Sequence, residues 1–239
     1  MLVASAPPEQ AGRPGPKLMN PHFSTDRGDL GRIEFRPLDP GSDLPMVHDW
    51  VNRDYARFWR MQGMSLPRIE SLYREKLGRE SYRAYIGELL PTREPIFLCE
   101  VYHPQTDELG SLYDSKDYDR AYHLILAPNS KAIKNFSWHS MMASLEFIFS
   151  DPSVQRVVGE PDVSNRKVLR LVLQCGYSLG GVIHLRHKTA RFISIRRERF
   201  TAVNAGRTRL DLEYSPNPLA LRYHRLVGRI RRRISRGIW

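Results

Sequence analysis

The stretch Arg156–Gly181, RVVGEPDVSNRKVLRLVLQCGYSLGG, decides the fold. Arg156–Glu160 is a short β-type run. Pro161–Asp162 ends it, because proline brings no N–H to a sheet ladder. Ser164 or Asn165 then caps a helix. Its inner face is Val168, Leu171, Val172 and Cys175, at helical spacing. Gly176 suits the left-handed position that follows a helix. Tyr177–Leu185 reads as the next strand. A carboxylate at a strand tip beside the amide of Asn165 at a helix mouth is a place for chemistry on something phosphorylated or acylated.

Working outward, Ala190–Arg196 is a closing strand joined to Tyr177–Leu185 by a short basic turn. Upstream, DPS ends a helix that starts near Ser137 and carries Trp138, Met141, Met142, Leu145, Ile148 and Phe149 on one stripe. PNSKAIKN before it is a turn-rich loop holding Lys131 and Lys134. Arg120–Ala127, Pro95–Tyr102 and Tyr82–Glu88 read as strands, and the polar loop between the last strand and its predecessor suggests hairpin pairing. Arg32–Leu38 alternates as a first strand. Two helices follow it, one capped by Ser42 or Asp43 with Val47, Trp50 and Val51 inside, the other capped by Ser65. Between them lies DYARFWRMQG, dense in aromatics. The order β α α β β β α β α β β predicts one α/β (α+β) domain over residues 32–200, with a mixed sheet flanked by helices and a parallel crossover. Residues 1–31, rich in Pro, Gly and Ser, are expected to be a disordered arm.

Composition bounds the function. The 239 residues are 41% hydrophobic and 10% aromatic, enough for a sizeable core. No apolar run approaches the ~20 residues that span a bilayer, and no secretory leader is visible. Cys99 and Cys175, in separate apolar runs, read as buried thiols of a cytoplasmic protein. The net charge is +11, but seven arginines follow the last acidic residue, Glu213. Setting them aside leaves about +4, an ordinary surface. The basic region 201–239 contains an amphipathic pattern with three readings: docking on the domain or a second subunit, contact with an anionic membrane surface, or phosphate contacts to nucleic acid. The first is the blandest, and sparse aromatics count against single-strand binding.

Individually, most notable residues have plain readings. His123 could be a core or surface strand histidine, Asp162 a turn or cap aspartate, Asn165 a cap, and Phe58 a staple between helices. Trp59 and Gln62 are candidate pocket residues, since pockets pair aromatic walls with a few polar groups.

Taken together, the passages RPLDPGSDLPMVHDWVN, FWRMQ, FLCEVYHPQTDELGSLY, DYDRAYHLILAP and EPDVSN resemble the Gcn5-related N-acyltransferase (GNAT) family, and within it the branch that makes hydroxamate siderophores. The likeness covers about residues 32–200. His48, Trp50, Phe58, Trp59 and Met61 match its opening; Glu100, Tyr102 and Tyr113 match its middle hairpin. The chain departs from the branch at Ala121-Tyr122, before the central histidine, and at Asn135, where a glycine is usual.

The resemblance implies a GNAT-like domain with two splayed central strands, and transfer of an acyl group from acetyl- or succinyl-type coenzyme A, a co-substrate, to an N-hydroxylated diamine or amino acid. It implies no permanently bound cofactor and no metal. His123 and Asp162 match its catalytic pair. His123 is expected as a base near neutrality, with Asp162 orienting it or holding the acceptor nitrogen. Leu126, Lys131, Lys134, Asn135, Phe136, Ser137 and Asn165 are candidates for the acyl carrier, and Trp59, Gln62, Glu100 and Tyr113 for the acceptor. Glu100 would pair with a distal ammonium. Asn tolerates positive φ better than most residues other than glycine, so the loop can survive with Asn135. Two alternatives stay open: acetylation of an aminoglycoside or polyamine, and a non-catalytic binding module. A monomer or dimer is expected, without a nucleic-acid partner.

Overall fold

The computed structural model of the chain describes residues 23–128 and 133–206. Most of the expected arm (residues 1–22), Lys131 and the basic tail from residue 207 lie outside the described residues.

Strands β1 (Ser24–Asp26) and β2 (Arg32–Pro37) precede helix α1 (Pro40–Asn52). A 3-10 turn (Asp54–Trp59) leads to helix α2 (Leu66–Leu77). Strands β3 (Tyr82–Leu89), β4 (Glu94–Tyr102) and β5 (Asp119–Leu126) follow, then helix α3 (Phe136–Phe149), strand β6 (Arg156–Gly159) and helix α4 (Arg166–Gln174). Strands β7 (Ser178–Leu185) and β8 (Lys188–Arg196) and helix α5 (Arg197–Asn204) end the described part. The strands make one eight-stranded sheet in the order β1-β2-β3-β4-β5-β6-β8-β7. All neighbours are antiparallel except β5 and β6, the pair joined through α3.

Each face of the sheet buries an apolar layer. Phe35, Tyr85, Phe97 and Val157 pack with Phe147 and Met142 of α3 on one side. Ile86, Leu98, Ile125 and Val158 pack with Val47 and Val51 of α1 and Ile69 and Tyr73 of α2 on the other. The α3 stripe read from the sequence is buried from Met141 to Phe149, with Trp138 partly buried, because this helix lies across the sheet. Gly87 is needed where β3 passes the Phe97 ring: a Cβ there would sit 2.2 Å from it. No helix among the described residues is long and apolar enough to cross a membrane.

Three local readings need correction. The structured region starts before residue 32, since β1 pairs with β2. Thr25 donates to Glu146 at 2.7 Å, and Arg27, 8% exposed, bonds Glu146, the Met142 carbonyl and Asn204. A buried cation needs such partners, and they come from α3 and α5, too distant in sequence to be foreseen. At the other end α5 runs past residue 200, and Phe200 stacks on Phe149 at 5.0 Å. The cap of α1 is Asp39, which accepts from Gly41 N–H, rather than Ser42 or Asp43. Pro40 begins the helix because a first-turn proline forfeits no intrahelical bond. Asp43 is instead buried against Arg36.

The functionally important departure from regularity is in the middle of the sheet. Pairing between β5 and β6 runs from Asp119–Arg156 to Ala121–Val158 and then stops. Beyond it β5 continues beside β4 to Leu126, while β6 ends at Gly159 and stays with β8. The two strands splay and open a cleft at their C-terminal ends.

Candidate active site

Strand alternation places the reactive groups. Ala121, His123 and Ile125 share the face of β5 that looks toward α1 and α2. Glu100 of β4 is the register partner of His123. Val158 points to the same face from β6, and two residues on, past the last paired position, so does Glu160. The His123 ring therefore lies between two carboxylates. Nδ1 is 3.3 Å from Glu100 Oε2 and Nε2 is 3.2 Å from Glu160 Oε1. Tyr102 Oη is 3.4 Å from Nε2, and the Trp59 indole meets the ring edge-on at 5.9 Å. The imidazole is 40% exposed, toward the cleft, whereas Glu100 and Glu160 are nearly closed off.

Each carboxylate shares an oxygen between His123 and a lysine. Glu100 Oε2 also takes Lys76 Nζ at 3.2 Å, and its other oxygen accepts from Tyr73 Oη at 2.6 Å. Glu160 Oε1 also takes Lys188 Nζ at 3.3 Å. The result is an alternating chain, Lys76–Glu100–His123–Glu160–Lys188, drawn from α2, β4, β5, the end of β6 and β8. Paired in this way, the buried charges escape the large cost of isolation.

Burial would push the His123 pKa down. The hydrogen bonds and charges of Glu100 and Glu160 outweigh it and raise the value to about 9. Burial likewise works against ionised Glu160, but His123 and Lys188 hold its pKa down to about 2. For Glu100 burial is again overcome, by Lys76, His123 and Tyr73, and its pKa lies far below the ordinary carboxylate range. The two carboxylates thus favour the protonated imidazole, which moves His123 away from the base near neutrality expected from the sequence.

Asp162 is not the residue that meets His123. Its Oδ1 accepts from the Ser164 N–H and hydroxyl at 2.9 and 2.6 Å, and its Oδ2 lies 3.5 Å from Arg60 Nη2. EPD offers two carboxylates two residues apart, and a period of two puts both in phase with Val158. The end of β6 at Gly159 separates them: Glu160 still reaches His123, while Asp162, beyond Pro161, lies against Ser164 and Arg60. Lys76 and Lys188 had weak signals. Lys76 sits three residues after Tyr73 on the inner side of α2, and Lys188 opens β8.

The other expected residues divide. Trp59 is brought to His123. Glu100 is fully buried and committed to Tyr73, Lys76 and His123, so it positions the imidazole and does not face an acceptor ammonium. Gln62 is turned back to the Arg53 carbonyl at 3.1 Å. Tyr113 donates to Asp119 at 2.9 Å, at the opposite end of β5. Asn165 caps α4, accepting from Val168 N–H. Phe136, the first residue of α3, is buried in the core. Leu126 ends β5, and its carbonyl accepts from Tyr55 Oη at 2.7 Å. Tyr55, Trp59 and Arg60 thereby fasten the 3-10 turn across both splayed strands. Lys134, Asn135 and Ser137 are exposed at the mouth of α3, and Asn135 has φ +56°. First-turn amides of a helix lack intrahelical partners and favour anions, so this mouth can receive phosphate.

Residues 39–185 match the family model described as Acetyltransferase (GNAT) domain. The N-hydroxyputrescine acetyltransferase of Acinetobacter baumannii is 30% identical over 162 residues, 66% of this chain and 74% of that protein. The N(5)-hydroxyornithine:cis-anhydromevalonyl coenzyme A-N(5)-transacylase SIDF of Beauveria bassiana is 26% identical over 171 residues, 66% of this chain. The match spans 34% of that longer protein. Among solved structures, aminoglycoside acetyltransferase AAC(6')-Ib with coenzyme A superposes with a TM-score of 0.64 at 24% identity, over 72% of this chain and 99% of that one. That likeness speaks for the fold. With a family match running from the cap of α1 to the end of β7, around the splayed strands that carry His123 and Glu160, this chain belongs to the GNAT acetyltransferase domain family.

Proposed function

We propose that this GNAT N-acyltransferase acylates an N-hydroxylated amine with a coenzyme A thioester of acetyl or succinyl type, forming a hydroxamate of the kind found in siderophores. The observation that carries this reading is His123 held between Glu100 and Glu160, 3.3 and 3.2 Å from its two ring nitrogens, an arrangement that favours its protonated form. A protonated imidazole is poorly suited to strip an alkylammonium. An N-hydroxylated amine is far less basic and arrives neutral. Its nitrogen attacks the thioester carbonyl, the C–N bond forms and the C–S bond breaks. His123 gives its proton to the departing sulfur and recovers one from the acylated nitrogen, ending as it began. Trp59 forms the wall against which the acceptor is held. The mouth of α3, with Lys134, Asn135 and Ser137, takes the pyrophosphate. The curated relatives named for hydroxyputrescine and hydroxyornithine support the same acceptor class.

Polyamine or aminoglycoside acetylation is the competing reading. Thiol release at pH 7 from acetyl-coenzyme A, with N-hydroxyputrescine, N5-hydroxyornithine, their parent amines and kanamycin, separates the two. At least tenfold higher kcat/KM for the hydroxylated member of each pair is expected. Parent amines or kanamycin used equally well would sink the proposal.

A further inference from the structure

Arg60 follows Trp59 and holds a left-handed conformation, φ 55° and ψ 31°. That region is strained for a residue with a side chain. Such a residue beside a catalytic cleft is where a function is to be sought. Its guanidinium, 48% exposed, has one side-chain partner among the described residues, Asp162, at a loose 3.5 Å. A guanidinium carries five N–H donors, so most of its capacity is open.

The three carboxylates around His123 and Arg60 are engaged. Glu100 serves Tyr73, Lys76 and His123. Glu160 serves His123 and Lys188. Asp162 is held by Ser164, with Arg60 beside it. The spare capacity is therefore cationic. Among the described residues, Glu100, Glu160 and Asp162 are thus committed and offer an incoming ammonium little, whereas an incoming carboxylate finds Arg60 in the fork geometry that suits it.

We propose that Arg60 is a carboxylate-binding residue at the mouth of the cleft, and that the substrate bears a carboxylate there, in the first place on the acceptor, making it an N-hydroxy amino acid rather than an N-hydroxy diamine. This rests on the acyl-transfer reading above. The acceptor nitrogen lies at His123 and Trp59, and the residue adjoining Trp59 takes the far end of the molecule. The same chemistry would suit a dicarboxylic acyl chain on the donor, so the test must distinguish the two sources.

N5-hydroxyornithine and N-hydroxyputrescine differ by the carboxylate alone, and so form a matched pair. Steady-state thiol release by the full chain is measured for both, with acetyl- and with succinyl-coenzyme A, on the wild type, Arg60→Gln and Arg60→Lys. With the acetyl donor, kcat/KM for N5-hydroxyornithine should exceed that for N-hydroxyputrescine at least tenfold. Arg60→Gln should bring the ratio to within about twofold, mainly by raising KM for the amino acid, and Arg60→Lys should recover part of it. A preference that follows succinyl over acetyl, whatever the acceptor, and that Arg60→Gln removes, would keep Arg60 as the carboxylate site and move the carboxylate to the donor. Equal use of both acceptors with both donors, or ratios unmoved by Arg60→Gln, would overturn the proposal. Ornithine itself, run in parallel, isolates the underlying reading: if it matches its N-hydroxylated form, that reading fails whatever Arg60 does.

Discussion

His123 and Glu160 face each other at 3.2 Å across the point where β5 and β6 cease to pair. The contact exists because the strands separate: had the ladder continued beyond Ala121 and Val158, both side chains would lie on a closed sheet face. Opening the seam makes the cleft and at the same time exposes an imidazole whose partners remain buried.

His123→Ala and His123→Gln should lower kcat by about 10²–10⁴, the usual worth of a positioned acid–base group, and leave affinity for the coenzyme within about twofold. Isothermal titration with the donor, alongside single-turnover rates, checks this. An unchanged rate would remove His123 from the chemistry.

The Glu160 pair gives a two-sided pH dependence. His123 is raised above its ordinary ~6.5 to about 9. Its stabilising contribution is therefore complete below ~6.5 and fades as pH rises through about 9. Glu160 is lowered to about 2 from an ordinary ~4.3. Its contribution is complete above ~4.3 and is lost as pH falls toward 2. Glu160→Gln should lower Tm at neutral pH, flatten the fall on both sides, and move the alkaline limb of kcat/KM to lower pH. A profile of Tm against pH identical to wild type would refute the pairing.

Lys188 acts through Glu160, whose Oε1 it shares with His123. Lys188→Met should raise the Glu160 pKa, so that the pair contributes less above ~4.3 and loses its contribution by a higher pH than in wild type. Lys188→Arg should restore the wild-type midpoint, because the charge is kept. Acid titration followed by circular dichroism reads the difference.

Asn135 holds φ +56° at the start of α3. Asn135→Val places a β-branched residue there and should cost about 1–2 kcal/mol, with weaker donor binding. Asn135→Gly should preserve both. Thermal melts and coenzyme titration on the two variants decide it.

Much of the frame was legible in the sequence because it depends on local patterns. Strand alternation in β2 to β5, the α3 stripe, the turn at Pro161 and the left-handed Asn135 each follow from short-range chemistry. The short β1, Ser-Thr-Asp, was illegible, since its place in the sheet depends on partners in β2 and α3. At the site, His123 and Trp59 were candidates from the sequence, and their rings lie 5.9 Å apart. The partner of His123 was not readable, because which of Glu160 and Asp162 faces it depends on where β6 leaves the sheet.

The amino-acid sequence by itself determined the element order, the crossover that makes β5 and β6 parallel, and the presence of a histidine on one strand and acidic groups at the end of the other. These follow from periodicity, turn chemistry and the handedness of connections. Only the tertiary structure decided the protonation state of the site. The His123 pKa depends on burial and on two carboxylates from β4 and β6, each shared with a lysine from α2 or β8. Electrostatic energies depend on distances and on the surrounding medium, and neither exists until those distant segments are folded around one imidazole.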